Sequence, residues 1–467
     1  MTSASWVDER ETPWNLNTNA NAKTVLEYEI DWPGKTEYTK SPENWRFPFY
    51  SFFLDRYVNG DPTNDNANGT AWEHDPKATQ LRHGGDLQGI VDSLDYIQGL
   101  GIKGLYIAGS LFLNHPWESD GFSPFDLTIL DHHFGKLDEV RAAIDAIHAR
   151  GMYVVVENTF ATMANMFAFE GFENASAPFN FNEYDLHYKG EEVYRDFHQS
   201  NDFEKECDVP FPKFWNQEGV RYDDANMTKF KGCMDSDFNQ FGDVSAFGTY
   251  PEWMKQLSKF GGVQDRLRDW NPSVLAKINH FSCMWIKGLD IDGFRMDKAM
   301  QIPVDSQANF SRAMRDCGKE VGKENFFIPG EIVNGNTNAA IYIGRGKEPT
   351  MKYDNYTEAI TFNRSQDDED YLREDDRHAL DAGAFHYSFY RALMRFLGLD
   401  GNLLAAGEAP TNFAEQWDEV LKSNDLRNAY TQKFDPRHMY SASNQDVLRW
   451  PGLINGTERQ LDRKSVV

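Results

Sequence analysis

The chain has 467 residues, of which 40% are hydrophobic and 14% aromatic, enough for one large packed domain with insertions or for several ordinary domains. Its 47 Lys+Arg against 73 Asp+Glu give a net charge of −26; such a surface repels phosphate backbones and anionic lipid, so nucleic acid is not an expected partner and an uncharged ligand such as a sugar is compatible. No apolar run reaches the roughly 20 residues of a membrane span, so no membrane contact is expected from this segment, and the N-terminus carries no signal-peptide pattern.

Residues 1–43 are polar and read as a loose N-terminal arm. Four later segments share one grammar of amphipathic helix followed by apolar strand. Leu87, Ile90, Val91, Leu94 and Ile97 recur at helical spacing before Gly101 and a strand at 104–108. Val140, Ala143, Ile144 and Ile147 do so before Gly151 and a strand at 153–156. Residues 160–251 then break the alternation and read as an inserted subdomain after the third strand. It resumes with Ile278, Phe281 and Trp285 before Gly288 and a strand near 291–296, then with Phe310, Met314 and Val321 before 326–328. Residues 346–378 read as a solvated loop. Strands alternating with helices imply a parallel sheet. A doubly wound sheet is the alternative, but no Gly-rich phosphate loop follows a strand.

The chemistry concentrates at two strand ends. Residues 293–298 read Gly-Phe-Arg-Met-Asp-Lys, and residues 328–331 read Ile-Pro-Gly-Glu. Each places an acid, Asp297 and Glu331, where a strand should stop. A retaining glycosidase needs two such carboxylates, one to attack the sugar and one to protonate the leaving oxygen. Arg295 shares a strand face with Asp297, because side chains alternate with period 2, and can hold it ionised. Taken singly, either acid reads equally as a surface residue. Acids at strand C-termini point to a TIM (β/α)8-type α/β barrel with its site on that face.

These residues resemble the α-amylase family (glycoside hydrolase family 13), and within it the amylase-like domain of fungal cell-wall α-1,3-glucan synthases. The resemblance covers about residues 43–460 and rests on four further motifs besides the two acid segments. They are Phe-Leu-Asp-Arg-Tyr-Val-Asn-Gly-Asp-Pro-Thr-Asn-Asp with Gly-Gly-Asp-Leu-Gln-Gly at 53–65 and 84–89, Asp-Gly-Phe-Ser-Pro-Phe-Asp at 120–126, and Asn-Gln-Asp-Val-Leu-Arg-Trp-Pro at 444–451. The resemblance implies Asp297 as nucleophile, Glu331 as general acid/base and Asp446 as third carboxylate. It implies Arg295, Phe122, Gln445 and Glu157 as residues on the sugar side. Departures are clear: Glu157 stands for an Asp, and Ala161 and Thr162 replace an Asn calcium ligand and a sugar-binding His. Phe122 keeps a stacking ring without its hydroxyl, and Gln445 stands where a His is common.

The resemblance also implies a calcium site from Asn59, Asp61, Asn64, Asp65 and Asp86 with the Gly84 carbonyl, a hard oxygen set suited to Ca²⁺. The same residues also read as a turn cluster satisfied by its own backbone. Among four cysteines, Cys207 and Cys233 lie in a loop-like stretch where a disulfide is useful; Cys283 and Cys317 fall on predicted helices as buried thiols. Sequons at Asn68, Asn174, Asn226, Asn309, Asn355, Asn363 and Asn455 favour a secretory-pathway protein, and the resemblance implies the extracellular or cell-wall side of the plasma membrane. The expected organisation is an arm at 1–43, a catalytic barrel from 44–159 and 252–460, the insert at 160–251 and a tail at 461–467. Few residues follow Asp446, so the barrel is expected to lack its last βα unit. The expected function is an α-glucan-active transglycosylase within a larger synthase chain, taking α-glucan or maltooligosaccharide. A starch-like hydrolase and a non-catalytic carbohydrate-binding domain are the alternatives.

Overall fold

The computed structural model describes residues 32–65, 82–114, 121–122, 124–164, 264–270, 272–332, 342–344, 354–361 and 378–384, with isolated shorter pieces between 67 and 439. Its strands are β1 (Phe49–Phe53), β2 (Gly104–Ala108), β3 (Phe112–Asn114), β4 (Pro124–Leu130), β5 (Tyr153–Asn158), β6 (Thr162–Ala164), β7 (Phe214–Trp215), β8 (Arg221–Tyr222), β9 (Phe238–Asn239), β10 (Asp243–Val244), β11 (Lys259–Phe260), β12 (Gln264–Leu267), β13 (Gly293–Met296), β14 (Pro329–Glu331), β15 (Ala382–Ala384) and β16 (His438–Met439). The helices are α1 (Leu87–Asp92), α2 (Leu94–Gly99), α3 (Leu137–His148), α4 (Pro272–Leu289), α5 (Val304–Glu320) and α6 (Tyr356–Thr361).

Seven strands form one sheet in the order β1-β2-β5-β13-β14-β15-β16, every pair parallel. This is a partial (β/α) barrel. The central strands β2 and β5 are buried on both faces, which is why they read as nearly continuous apolar runs. Period 2 divides each strand. Leu105, Ile107, Val154, Val156, Phe294 and Met296 join the large core under the helices. Tyr106, Ala108, Val155, Phe327 and Ala382 form a second, inner cluster with Trp45, Phe49, Phe53 and Met439. Trp45 closes that interior at the strand N-termini, its ring stacked on Phe327 with centroids 4.8 Å apart and 13° between planes. Gly293 has to be small, since a Cβ there would stand 2.4 Å from the Phe327 carbonyl oxygen.

A second sheet runs β10-β11-β12-β6, with β9 also paired to β12. The insert expected at 160–251 overlaps it, and its last strand ends at Leu267. Arg266 ties this sheet to the barrel. It is 1% exposed, pairs with Asp269, and donates from Nε to the Gln256 carbonyl at 3.1 Å and from Nη1 to the Ala161 carbonyl at 3.1 Å.

Four local expectations are revised. The helix expected across 87–97 is two, α1 and α2, broken at Ser93, whose hydroxyl donates to the Gly89 carbonyl at 2.9 Å. The stretch expected as loop at 346–378 contains α6, begun by Asn355, whose side chain accepts from Glu358 N, while Glu358 accepts from Asp354 N. Residues 32–43 are anchored: Trp32 packs on Trp285 at 5.4 Å, and Thr39 N donates to Asp290 Oδ2 at 3.0 Å. Cys283 and Cys317 are not thiols but a disulfide. Packing of α4 on α5 brings their Cα atoms to 5.9 Å, a spacing that single-helix periodicity cannot reveal.

Candidate active site

The parallel register places Arg295 of β13 beside Glu157 of β5, and Met296 beside Gly330 of β14. Three carboxylates therefore converge on one guanidinium. Arg295 Nη1 donates to Glu157 Oε1 at 2.6 Å and to Asp297 Oδ1 at 2.8 Å. Its Nη2 lies 3.5 Å from Glu331 Oε2. Asp297 and Glu331 are each 7% exposed, whereas Arg295 is 1% and Glu157 0% exposed. The two acids thus sit at the opening, with the arginine and Glu157 behind them.

Electrostatics separates the acids. Burial alone would raise the Asp297 carboxyl; the Lys298 ammonium and then the Arg295 guanidinium outweigh it and hold Asp297 below the usual carboxylate range. Glu157 goes the other way, pushed up to about 8 by burial and by the nearby Asp297 charge, against the attraction of Arg295. Burial drives the Tyr106 phenol well above its ordinary value, and its hydroxyl donates to Glu157 Oε2. An ionised carboxylate beside a second carboxyl, screened from water, is suited to attack on an electrophilic carbon with proton delivery to a departing oxygen.

The other expected site residues are distributed as follows. Phe122 is half-buried with its ring stacked on Phe53 at 6.5 Å, and its carbonyl accepts from Gln264 Nε2. Glu157 is wholly enclosed behind Arg295 and contacts Tyr106. Gln445, Asp446, Cys207 and Cys233 lie outside the described residues. Tyr106, Gln264 and the bonding of Lys298 were not anticipated. Period 2 gives the phase of Tyr106 on β2, but neither its reach to Glu157 nor that of Gln264 from the second sheet was legible.

Of the expected cation ligands, Asp86 is hydrogen-bonded to Asp61 and Asn64, and Asp65 to Asn59. Asp86 caps α1, accepting from Gly89 N at 2.8 Å, Gly60 N at 3.1 Å, Asp61 N at 2.9 Å and Asn64 Nδ2 at 3.3 Å. Asp65 Oδ1 accepts from Asn59 at 2.8 Å, and Asp61 Oδ1 from Thr63 N at 3.0 Å. Asn64 Oδ1 is buried with no hydrogen-bond partner, an orphaned acceptor beside these carboxylates. These residues fit a hard cation. The group of Asp145, His148 and Asp290 does not. Lys35 pairs with Asp145, and Lys323 with Asp290 at 2.7 Å. The imidazole, despite burial, is pushed up to about 9 by hydrogen bonds to Asp290 and Asp292, so near neutral pH it is a cation and not a ligand.

A parallel barrel that gathers an arginine and carboxylates at the C-terminal ends of adjacent strands defines a glycosidase-type domain. Residues 52–371 match the α-amylase catalytic-domain family model. The chain belongs to the α-amylase family. It is 44% identical over 448 residues to the cell wall alpha-1,3-glucan synthase mok11 of Schizosaccharomyces pombe, covering 96% of this chain and 18% of that protein. With ags1 of the same yeast the figures are 43% over 455 residues, 97% and 18%. The periplasmic alpha-amylase of Escherichia coli is 24% identical over 371 residues, covering 68% and 51%. A solved maltogenic amylase from S. marinus aligns over 88% of this chain and 47% of its own, at 16% identity and a TM-score of 0.47. The chain spans about a fifth of the length of the synthases it matches.

Proposed function

We propose that the chain is an α-glucan-active retaining domain that transfers glycosyl units between glucan chains. The observation that carries this is buried Arg295 held between Asp297 Oδ1 at 2.8 Å and Glu331 Oε2 at 3.5 Å at adjacent strand ends. The α-glucan substrate class is taken from the synthases at 44% identity. In the proposed first step an Asp297 oxygen bonds to the anomeric carbon as the glycosidic C–O bond breaks, and Glu331 passes its proton to the leaving sugar oxygen. In the second, Glu331 takes a proton from an incoming sugar hydroxyl, whose oxygen displaces Asp297. Phe122 is the stacking surface, and Asp446 and Gln445 are assigned sugar contacts by resemblance alone. A hydrolase would differ only in admitting water as acceptor.

The proposal keeps the division into a catalytic barrel at 44–159 and 252–460 with an insert at 160–251. It also places Ca²⁺ on Asn59, Asp61, Asn64, Asp65, Asp86 and the Gly84 carbonyl, where it would fasten the loop after β1. The compartment proposed is the cell-wall side of the membrane, as part of a larger synthase. The Cys283–Cys317 disulfide supports that, since such bonds persist in oxidising surroundings.

The test is a product mass profile from maltooligosaccharides, for the parent chain secreted from yeast and for Asp297→Asn. Oligomers longer than the input, reduced at least ~1,000-fold in the variant, are expected. Only shorter products would replace transfer by hydrolysis. Binding without turnover, equal in the variant, would replace both by a non-catalytic carbohydrate-binding domain. Alkylation of the same preparation without reductant reads the bridge, and free thiols would remove the assigned compartment.

A further inference from the structure

Lys298 directly follows Asp297 and has φ 50° and ψ 37°, the left-handed region that L-residues avoid. Such residues persist where their surroundings over-determine them, often at functional sites. Here the turn lets one residue act on both acids. Its main-chain N–H donates to Glu331 Oε2 at 3.1 Å. Its Nζ lies 3.2 Å from Asp297 Oδ2, while Arg295 binds Oδ1. The same Nζ donates to Gln264 Oε1 on β12, and Gln264, itself 2% exposed, donates to the Phe122 carbonyl.

We propose that Lys298 is a positioning residue for the carboxylate pair, fixing Asp297 through its ammonium and Glu331 through its main-chain N–H while Gln264 ties that ammonium to the backbone of Phe122. This rests on the reading of Asp297 and Glu331 given above. Cations on separate oxygens fix the plane of the Asp297 carboxylate, since rotation would break one contact. The nucleophile, the acid/base and the stacking ring then share one frame that includes the second sheet.

The groups facing Asp297 are Arg295 from its own strand, Lys298, Glu331 from β14, and Glu157 and Tyr106 from β5 and β2. Burial raises the Asp297 carboxyl, and Lys298 is the largest influence lowering it, with a net shift downward. A depressed acid contributes stability above its unfolded value, roughly pH 3.9, that is lost as pH falls through the folded value. Removing the ammonium moves the folded value up, so the variant holds less of this stability, and its deficit against the parent disappears as pH falls through the two folded values.

The experiment is a set of thermal melts of the full chain from about pH 7 to about pH 2.5, through and below the unfolded carboxylate value, for the parent and Lys298→Met. The difference in melting temperature should narrow as pH falls, be restored toward parent by Lys298→Arg, and largely vanish when both chains carry Asp297→Asn. A difference constant across pH, or undiminished in the Asp297→Asn background, would overturn the proposal and leave Lys298 a packing residue. If Lys298→Met does not fold, Lys298→Gln, similar in reach and uncharged, carries the same comparison. These melts need no turnover, so an inactive parent counts against the proposed reaction and not against Lys298. Where turnover occurs, the acid limb of kcat/KM should move to higher pH in Lys298→Met.

Discussion

Glu157 makes stability depend on pH through one enclosed side chain. It is fully enclosed, takes hydrogen bonds from Tyr106 and Arg295, and is pushed up to about 8. A raised carboxyl holds in the folded state a proton that the unfolded chain releases above roughly pH 4.3. Its stabilising contribution is fully present below that value and is lost as pH rises through about 8. Glu157→Gln cannot ionise and should lose this slope, so its melting temperature should fall less than the parent's from about pH 5 to about pH 9. The parent's slope from this group is at most about 1.4 kcal/mol per pH unit. Parallel curves would mean that Arg295 keeps Glu157 ionised in the fold. Arg295 and Asp297 were readable as a same-face pair because strands alternate with period 2, and the structure places them 2.8 Å apart. Tyr106 was not, because an aromatic inside an apolar strand reads as core until the register sets it within reach of Glu157.

At the scale of elements, the loop after β1 and the start of α1 behave as one unit. Asp86 caps the helix through Gly89 N and also accepts from Gly60 N and Asp61 N, so the loop and the helix N-terminus share one carboxylate. The turn reading of this cluster thus accounts for the oxygens of Asp86, but not for Asn64 Oδ1, which is buried without a partner. A bound cation would satisfy that oxygen and stabilise the fold by mass action, about 2.7 kcal/mol at a hundredfold excess over Kd. Melts in calcium should therefore exceed melts in EGTA, and Asn64→Ala should shrink the difference. Identical midpoints for the parent would remove calcium from the loop. Local chemistry was legible where it is local: the Asn355/Glu358 box that starts α6 is a sequence pattern, though it lay in a stretch dominated by charge. The Cys283–Cys317 bridge was not legible, since it depends on how two helices pack, and neither helix alone encodes that.

For the molecule as a whole, the alternation of helix and strand was enough to anticipate a parallel sheet, and among the described residues seven parallel strands form one sheet. What closes the interior was hidden, because it comes from residues far apart in the chain. Trp45 stacks on Phe327 at 4.8 Å, meets Tyr153 edge-on at 5.6 Å, and donates from Nε1 to the Asn325 carbonyl at 2.9 Å. One residue from just before β1 thus joins the starts of β5 and β14. The carboxylates stand at the opposite strand ends, so the plug supports the site by holding the strands in register and not by contact. Trp45→Ala removes the ring and leaves a cavity. Because Trp45 is only half-buried, the expected cost is about 2–3 kcal/mol, at or below the lower end for buried aromatics. Trp45→Phe keeps an apolar ring, loses the hydrogen bond and should fall between. Urea unfolding reads this directly: the midpoint should drop with the slope unchanged, because the surface exposed on unfolding stays nearly the same. A loss under about 0.5 kcal/mol for Trp45→Ala would mean that the inner cluster is held by Phe49, Tyr153 and Phe327 without it.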